Sequence, residues 1–316
     1  MGKIKLALLS GGRSSEREVS INSGNQVNDA LDKDKYQVTR YDPAMDLPRL
    51  MATAADIDAA LIILHGPNGE DGTVQGLLEL LNIPYQGAGV LGSALAMNKL
   101  VSKQIYEKAG LPIPAYVAIS RNDRVPADEL VKRVNLPLVV KPVKSGSSIG
   151  MSIVRDESAV SDALDQAFLH DDTVLVEQYI EGIEITGGVI GNDTLEALPL
   201  IEIIPSPDHD FFDYNAKYVA GLTEEICPAR IDERLTEKAK TFAVTAHQAL
   251  FLQGYSRTDM IVAKTGIYVL ETNTIPGMTR TSLFPQAAKA AGMSFGQLLD
   301  RLIELGMEAH AKKTIL

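Results

Sequence analysis

The stretch that most restricts how this chain can fold runs from residue 257 to residue 283, RTDMIVAKTGIYVLETNTIPGMTRTSL. Two apolar runs, MIVA and IYVL, are separated by Lys264, Thr265 and Gly266, and a three-residue loop with glycine last is a common hairpin connection. Centring the turn on Thr265 pairs Ala263 with Ile267, Asp259 with Glu271 and Arg257 with Asn273, and the strand period of two places these polar residues on one face. Two carboxylates opposite each other lie ~5 Å apart and repel by roughly 3 kcal/mol at an effective dielectric of ~20. Cross-strand pairing returns about 1 kcal/mol at most, so a cation is expected between Asp259 and Glu271. Hard oxygen donors with an amide two residues on suit Mg2+, which commonly completes its shell with nucleotide phosphates. An exposed polar hairpin face is the plainer alternative. It sits poorly with polar residues that interrupt otherwise apolar strands.

A chain of 316 residues can bury a large core divided over two or three domains. Its net charge of -11 and pI near 5.0 argue against a nucleic-acid or anionic-membrane partner, because both need a basic footprint. The single cysteine, Cys227, excludes an internal disulfide and a multi-cysteine metal site, and fits a reducing cytoplasm. It precedes Pro228 in a polar loop, with nothing to mark it as a nucleophile. The opening MGKIKLALLSGG has too short an apolar run for a secretory signal, and no segment has the length of a membrane span.

Read in order, IKLALL is a buried-type strand turned by Gly11 and Gly12 into a segment with helix-start signals at Ser14 and Ser15. YQVTRYD, DAALIILHG and DGTVQGLLELLNIPY continue the alternation of strand and helix that builds a parallel sheet. The dinucleotide pattern GxGxxG is missing, so the Gly-Gly turn is expected to hold a small anion or to let backbone approach a substrate. Glu16 lies at the carboxyl end of the first strand, where open α/β sheets bind ligands, though a helix-dipole role explains it equally. His65, before the loop GPNGEDG, is either a hydrogen-bonded structural group or a substrate contact.

From about residue 96 the segment AMNKLVSKQIYEKAG reads as one helix closed by Gly110. LPLVVKPVKSGSSIGMSIV then gives two strands joined by SGSSIG, with Lys141 and Lys144 at the junction. Consecutive Gly and Ser amides can face phosphate oxygens while Lys supplies charge. A flexible turn is the alternative, and no Walker pattern is present. TVLVEQYIEGIEITGGVIG is strand, break and strand, with Glu177, Glu181 and Glu184 near the break. An acid there can bind a ribose hydroxyl, although surface charge is the commoner role. Residues 205 to 228 read as a long irregular loop, dense in aromatics, with Lys217 beside Tyr218; this is expected to be a lid. An amphipathic helix follows, with Leu235, Ala239, Phe242, Ala246 and Leu250 on one side, Gly254 at its end and His247 in a packing role. The last helix presents Leu298, Leu302 and Leu305 as core cover.

GGRSSEREVS, HGPNGEDGTVQG, KPVKSGSSIGMS, DYNAKY, GYSRTD and ETNTIPGMTRTSL occur in this order from near the start to about residue 296. Together they resemble the D-alanine–D-alanine ligases of the ATP-grasp superfamily. The resemblance implies an α/β ATP-grasp fold of three domains: a parallel-sheet unit over residues 1–95, then two α+β units, 96–182 and 183–316, that sandwich ATP. It implies that a first D-alanine carboxylate takes the γ-phosphoryl group of ATP, and that the amine of a second D-alanine then displaces phosphate. It assigns Lys99, Lys141 and Lys217 to nucleotide phosphates and Glu177 and Glu184 to adenine and ribose. Asp259, Glu271 and Asn273 would hold two Mg2+ or Mn2+ ions. Glu16, Ser148 and Tyr218 would form a network closing the lid, with Glu16 and His65 near the first D-alanine. Arg257 and the backbone near Gly277 would stabilise an oxyanion, and Ser282 and Leu283 would receive the second D-alanine. Relatives that use D-lactate are expected to carry His where this chain has Tyr218, and a homodimer in the cytoplasm is implied. The strand ITGGVIG departs from the resemblance, with two glycines where bulkier residues are frequent.

Overall fold

The computed structural model describes residues 2–313 except 124, 145, 147, 148 and 206–222. Strands β1 (Ile4–Ser10), β2 (Tyr36–Tyr41) and β3 (Ala59–Ile63) form a parallel sheet in the order β2-β1-β3. A parallel sheet is covered on both faces, and alternate residues of its strands enter different cores. Leu6, Leu8, Leu61 and Ile63 pack on one side with Val27 of α1 (Arg17–Ala30) and with Leu298 and Leu302 of the last helix, α10 (Phe295–Lys313). Ala7, Leu9 and Ile62 pack on the other with Leu78 of α3 (Thr73–Leu80). The first of these cores therefore takes side chains from both ends of the chain.

The second sheet is antiparallel, in the order β4-β7-β5-β6: β4 (Tyr116–Ser120), β5 (Leu138–Pro142), β6 (Ser152–Val154) and β7 (Thr173–Gln178). Leu138, Val140, Val174 and Val176 bury one face against Leu130 and Val134 of α6 (Ala127–Val134) and Val160 and Ala163 of α7 (Val160–Phe168). The alternating positions Val139, Lys141 and Glu177 are left for the opposite face. The third sheet orders β8 (Ile183–Gly191), β10 (Ile201–Pro205), β11 (Thr223–Ile226), β12 (Tyr255–Ala263) and β13 (Gly266–Asn273) as β11-β10-β8-β12-β13, with β9 (Leu195–Ala197) on β8. Ile185, Val189, Met260 and Val269 face Ala239, Ala243 and Ala246 of α8 (Glu233–Ala249).

Several local expectations are corrected. The first helix starts at Arg17, two residues past Ser15, because the Ser14 Oγ is already engaged by the Glu16 N–H and the His65 carbonyl. The helix expected from residue 96 is two helices, α4 (Gly89–Met97) and α5 (Lys99–Lys108). Asn98 has extended backbone and its side chain accepts the Val101 N–H at 3.1 Å, so it ends one helix and caps the next. Helix α8 ends at Ala249, followed by Phe251 with φ +56, ahead of Gly254. Residues 223–226, expected in a loop, form β11 because they pair with β10; the rest of the expected lid, 206–222, lies outside the described residues. The amides of the Gly-Gly turn are not available to an anion: Gly11 N–H donates to Ser20 Oγ at 2.8 Å and Gly12 N–H to Asp42 Oδ1 at 2.9 Å.

The glycines of ITGGVIG permit close packing. A Cβ at Gly187 would come within 3.0 Å of the Ala243 Cβ, and one at Gly188 within 3.1 Å of Leu198 and Phe284. The two bare strand positions let α8 and α9 (Leu283–Ala290) approach β8 from opposite sides.

Candidate active site

The hairpin β12–β13 carries the polar face that its sequence announces, by a different route. The turn has a two-residue loop, Lys264 and Thr265, since Ala263 pairs with Gly266. Left alone, that register would place Leu270 opposite Asp259. The register shifts between Asp259 and Met260, so Asp259 faces Glu271 and Arg257 faces Asn273 after all. Leu270, the extra residue, lines a cavity beside them.

Each carboxylate of this pair has a protein cation of its own. Arg257 donates Nε–H to Asp259 Oδ1 at 2.9 Å and NH2 to Oδ2 at 2.8 Å, while Lys99 Nζ lies 3.4 Å from Glu271 Oε2. Asp259 also accepts from Thr186 Oγ1 at 2.7 Å and Asn273 Nδ2 at 3.0 Å. The charge compensation expected on the hairpin is thus supplied within the chain by Arg257 and Lys99. The donor set still fits a hard divalent ion, with two carboxylates and the Asn273 Oδ1 on adjacent strands. No cluster of three or more His, Cys, Asp or Glu side chains that could hold a metal occurs among the described residues.

Two cavities meet at this hairpin. The smaller, about 140 Å3, lies between the second and third sheets and is lined by Lys99, Lys141, Glu177, Glu184, Asp259 and Glu271, with Ile153, Ile180 and Ile261 as apolar walls. Lys141 Nζ is 2.9 Å from Glu177 Oε2, and Lys103 Nζ is 3.2 Å from Oε1 of the same carboxylate. Burial opposes the charge on Glu177, but Lys103 and Lys141 outweigh it and hold its pKa below the ordinary value. A slot with apolar walls, in which Lys99 and Lys141 are each paired with an acid, suits a heterocycle carrying phosphates.

The larger cavity, about 420 Å3, lies one strand period further along the same face of the hairpin and is lined by Glu16, His65, Arg257, Asn273, Gly277, Ser282 and Leu283. His65 is buried and its Nε2 has no hydrogen-bond partner among the described residues. Burial lowers its pKa, so the ring is neutral. Two acids that sequence reasoning passed over also line this space, Glu70 and Glu225. Burial and the Glu16 charge push the Glu70 carboxyl up to about 8, although it accepts the Gly66 N–H at 2.7 Å. Burial raises Glu225, which binds Gln286. Glu70 was legible only as part of the Gly-rich loop GPNGEDG, and nothing in the sequence marked Glu225 or Lys103. Among the described residues the larger cavity collects Glu16, Glu18 and Glu225, with Glu70 holding its proton near pH 7, against Arg257, which favours a ligand bearing an ammonium group beside an anionic one.

All expected site residues among the described ones line one of the two cavities. Ser148, Lys217 and Tyr218 lie outside the described residues.

Two family models match the chain: D-ala D-ala ligase C-terminus over residues 105–304 and D-ala D-ala ligase N-terminus over residues 44–88. A D-alanine–D-alanine ligase of Syntrophobacter fumaroxidans is 60% identical over 306 residues, covering 97% of this chain and 98% of that protein. One from Desulfotalea psychrophila is 53% identical, covering 98% and 97%. The crystal structure of D-alanine–D-alanine ligase from Bacillus anthracis complexed with ATP superposes with a TM-score of 0.86 at 36% identity, covering 98% of this chain and 99% of that one. A parallel-sheet unit beside two antiparallel sheets that enclose a cavity is thus the architecture of an ATP-grasp ligase. Within that class, the chain belongs to the D-alanine–D-alanine ligase family.

Proposed function

We propose that this chain joins two D-alanine molecules at the expense of ATP, for peptidoglycan precursor synthesis, with the nucleotide in the smaller cavity and the amino acids in the larger. The observation that carries this reading is the hairpin itself: Asp259 and Glu271 line one cavity while Arg257 and Asn273, one strand period away, line the other. A phosphoryl group delivered over the first pair arrives beside a carboxylate held near the second.

In this reading Lys99, Lys141 and Lys217 hold phosphates, while Glu177 and Glu184 recognise adenine and ribose. Asp259, Glu271 and Asn273 would hold Mg2+ or Mn2+, two ions that neutralise phosphate charge when bound. Glu16 takes the ammonium of the first D-alanine, in a lid network with Ser148 and Tyr218, and the neutral His65 offers its unpartnered Nε2 beside it. The first carboxylate then attacks the γ-phosphorus and ADP leaves. The second D-alanine, bound near Ser282 and Leu283, attacks the acyl carbon through its deprotonated amine, and phosphate leaves as the nitrogen gives up one more proton and the amide forms. Arg257 and the backbone at Gly277 steady the oxyanion between these events. Preorganised donors of this kind are usually the largest catalytic contribution.

A D-alanine–D-lactate or D-alanine–D-serine ligase is the alternative. It is disfavoured by the names of the relatives at 60% and 53% identity and by Tyr218 in the place of His. No helix among the described residues is long and apolar enough to cross a membrane; a cytoplasmic homodimer completes the reading. Phosphate release with ATP, Mg2+ and a panel of D-amino acids and D-lactate tests it, and D-alanine alone should support turnover. Preference for D-lactate as acceptor would overturn it.

A further inference from the structure

Glu177 is 2% exposed and ion-paired with two lysines of different surroundings, Lys141 at 2.9 Å and Lys103 at 3.2 Å, the latter without a hydrogen bond among the described residues. Lys141 comes from β5 and borders the smaller cavity. Lys103 comes from α5 and is 0% exposed. One helical turn before it, Lys99 reaches Glu271 on β13, so the same face of α5 places one ammonium on each of the two sheets that enclose the cavity. Lys103 is further enclosed by Tyr116, whose ring centroid lies 5.5 Å from Nζ and which pairs with Glu177 across β4 and β7. The Tyr116 hydroxyl in turn donates to Glu107 of α5 at 3.1 Å.

A single buried carboxylate needs one cation to be neutralised, and two are present. Only Lys141 can reach out of the pair into the cavity. We propose that Lys103 is a positioning residue: it is the permanent counterion of Glu177, and by staying there it leaves Lys141 free to turn to a nucleotide phosphate. This rests on the nucleotide reading of the smaller cavity. Without Lys103, Lys141 would be the only partner of a buried negative charge, and leaving it would strand that charge in a low-dielectric site. The Lys141 ammonium would then be held back from the ligand. Burial works against charge on Lys103 itself and lowers its pKa, while Glu177 works in the other direction.

The test is the binding of ATP and of inorganic tripolyphosphate, a base-free probe of the phosphate site, measured by calorimetry with Mg2+. Lys103→Met should weaken tripolyphosphate by about tenfold, the scale of one ordinary charge-assisted contact. Adding Glu177→Gln to that variant should restore tripolyphosphate binding to within about twofold of wild type, because Lys141 is then released, while ATP remains weak for want of the base contact. A lysine needed only for stability would lower the stoichiometry of binding in the same titrations and leave the affinity of the folded molecules unchanged. No loss in Lys103→Met, or a loss that Glu177→Gln does not reverse, overturns the role of Lys103. Should Lys103→Met fail to fold, Glu177→Gln is compared with the double variant, and the two should bind tripolyphosphate equally; a further loss in the double variant overturns the proposal. A wild-type chain that binds neither ATP nor tripolyphosphate would instead overturn the nucleotide reading.

Discussion

Asp259 and Glu271 face each other across β12 and β13, and each is matched with its own cation, Arg257 on the first and Lys99 on the second. The pair sits where two cavities adjoin, so a change at either carboxylate separates binding from chemistry. Glu271→Gln is expected to fold, because the amide keeps the shape and Lys99 loses only a partly exposed partner. Turnover should fall on the order of 100-fold, since an amide can coordinate but cannot neutralise a divalent ion. Phosphate release at limiting Mg2+ checks this; near wild-type activity there would remove Glu271 from the metal set.

Among the described residues, Arg257 is the one cation lining the larger cavity, opposite Glu16, Glu18 and Glu225. Arg257→Lys keeps a charge but loses the fork that grips Asp259 through two nitrogens. A loss of roughly 100- to 1,000-fold in kcat is expected, the size typical of removing an oxyanion donor, with KM for ATP changed far less. A variant in which only KM rises would make Arg257 a binding group.

Glu70 offers a titration test. Its carboxyl is ionised in the unfolded chain above its ordinary pKa of 4.5 but holds its proton in the folded chain up to about 8. Stability from this group is therefore full below 4.5 and is lost as pH rises toward 8. Glu70→Gln removes the titration, so the variant should gain stability relative to wild type between pH 5 and pH 8. Thermal unfolding at both pH values measures it. A constant difference would mean that Glu70 ionises like an exposed carboxylate.

His247 gives the opposite sign. It is buried, with Nδ1 2.8 Å from Ser256 Oγ, and burial brings its pKa down to about 4. The unfolded ring gains a proton as pH falls below 6.5, while the folded ring stays neutral until about 4, so stability is lost across that interval. His247→Asn should cost about 1–3 kcal/mol at pH 7.5, and the deficit should shrink at pH 5. Urea denaturation at the two pH values is the measurement. A deficit independent of pH would place the titration elsewhere.

The bare strand face of β8 is testable without reference to activity. Gly188→Val would push a branched side chain against Leu198 and Phe284, both within 3.1 Å of where its Cβ would stand. Overpacking of this kind costs about 1–3 kcal/mol, and an unchanged urea midpoint would show that Phe284 can move aside from its edge-to-face contact with Tyr255.

What the sequence determined by itself were features of short range or of pattern. Continuous apolar runs announced β1 and β3, and the strand period put Arg257, Asp259, Glu271 and Asn273 on one face. The six motifs, taken in order, announced the family. The hairpin register was reached through a three-residue loop, and the chain reaches it with a two-residue loop and a bulge. The two differ by one residue and cancel, because only the phase of the alternation at Glu271 matters to the site. Tertiary structure decided what depends on distant neighbours. Gly11 and Gly12 could have held an anion until Ser20 and Asp42 took their amides. Lys103 reads as one more helix lysine until α5 covers the end of the second sheet and buries it against Glu177. Glu70 is an ordinary loop acid until burial beside Glu16 raises its pKa. Local patterning sets which way a side chain points; desolvation and charge pairing depend on what is packed against it, and segments far apart in the chain supply that.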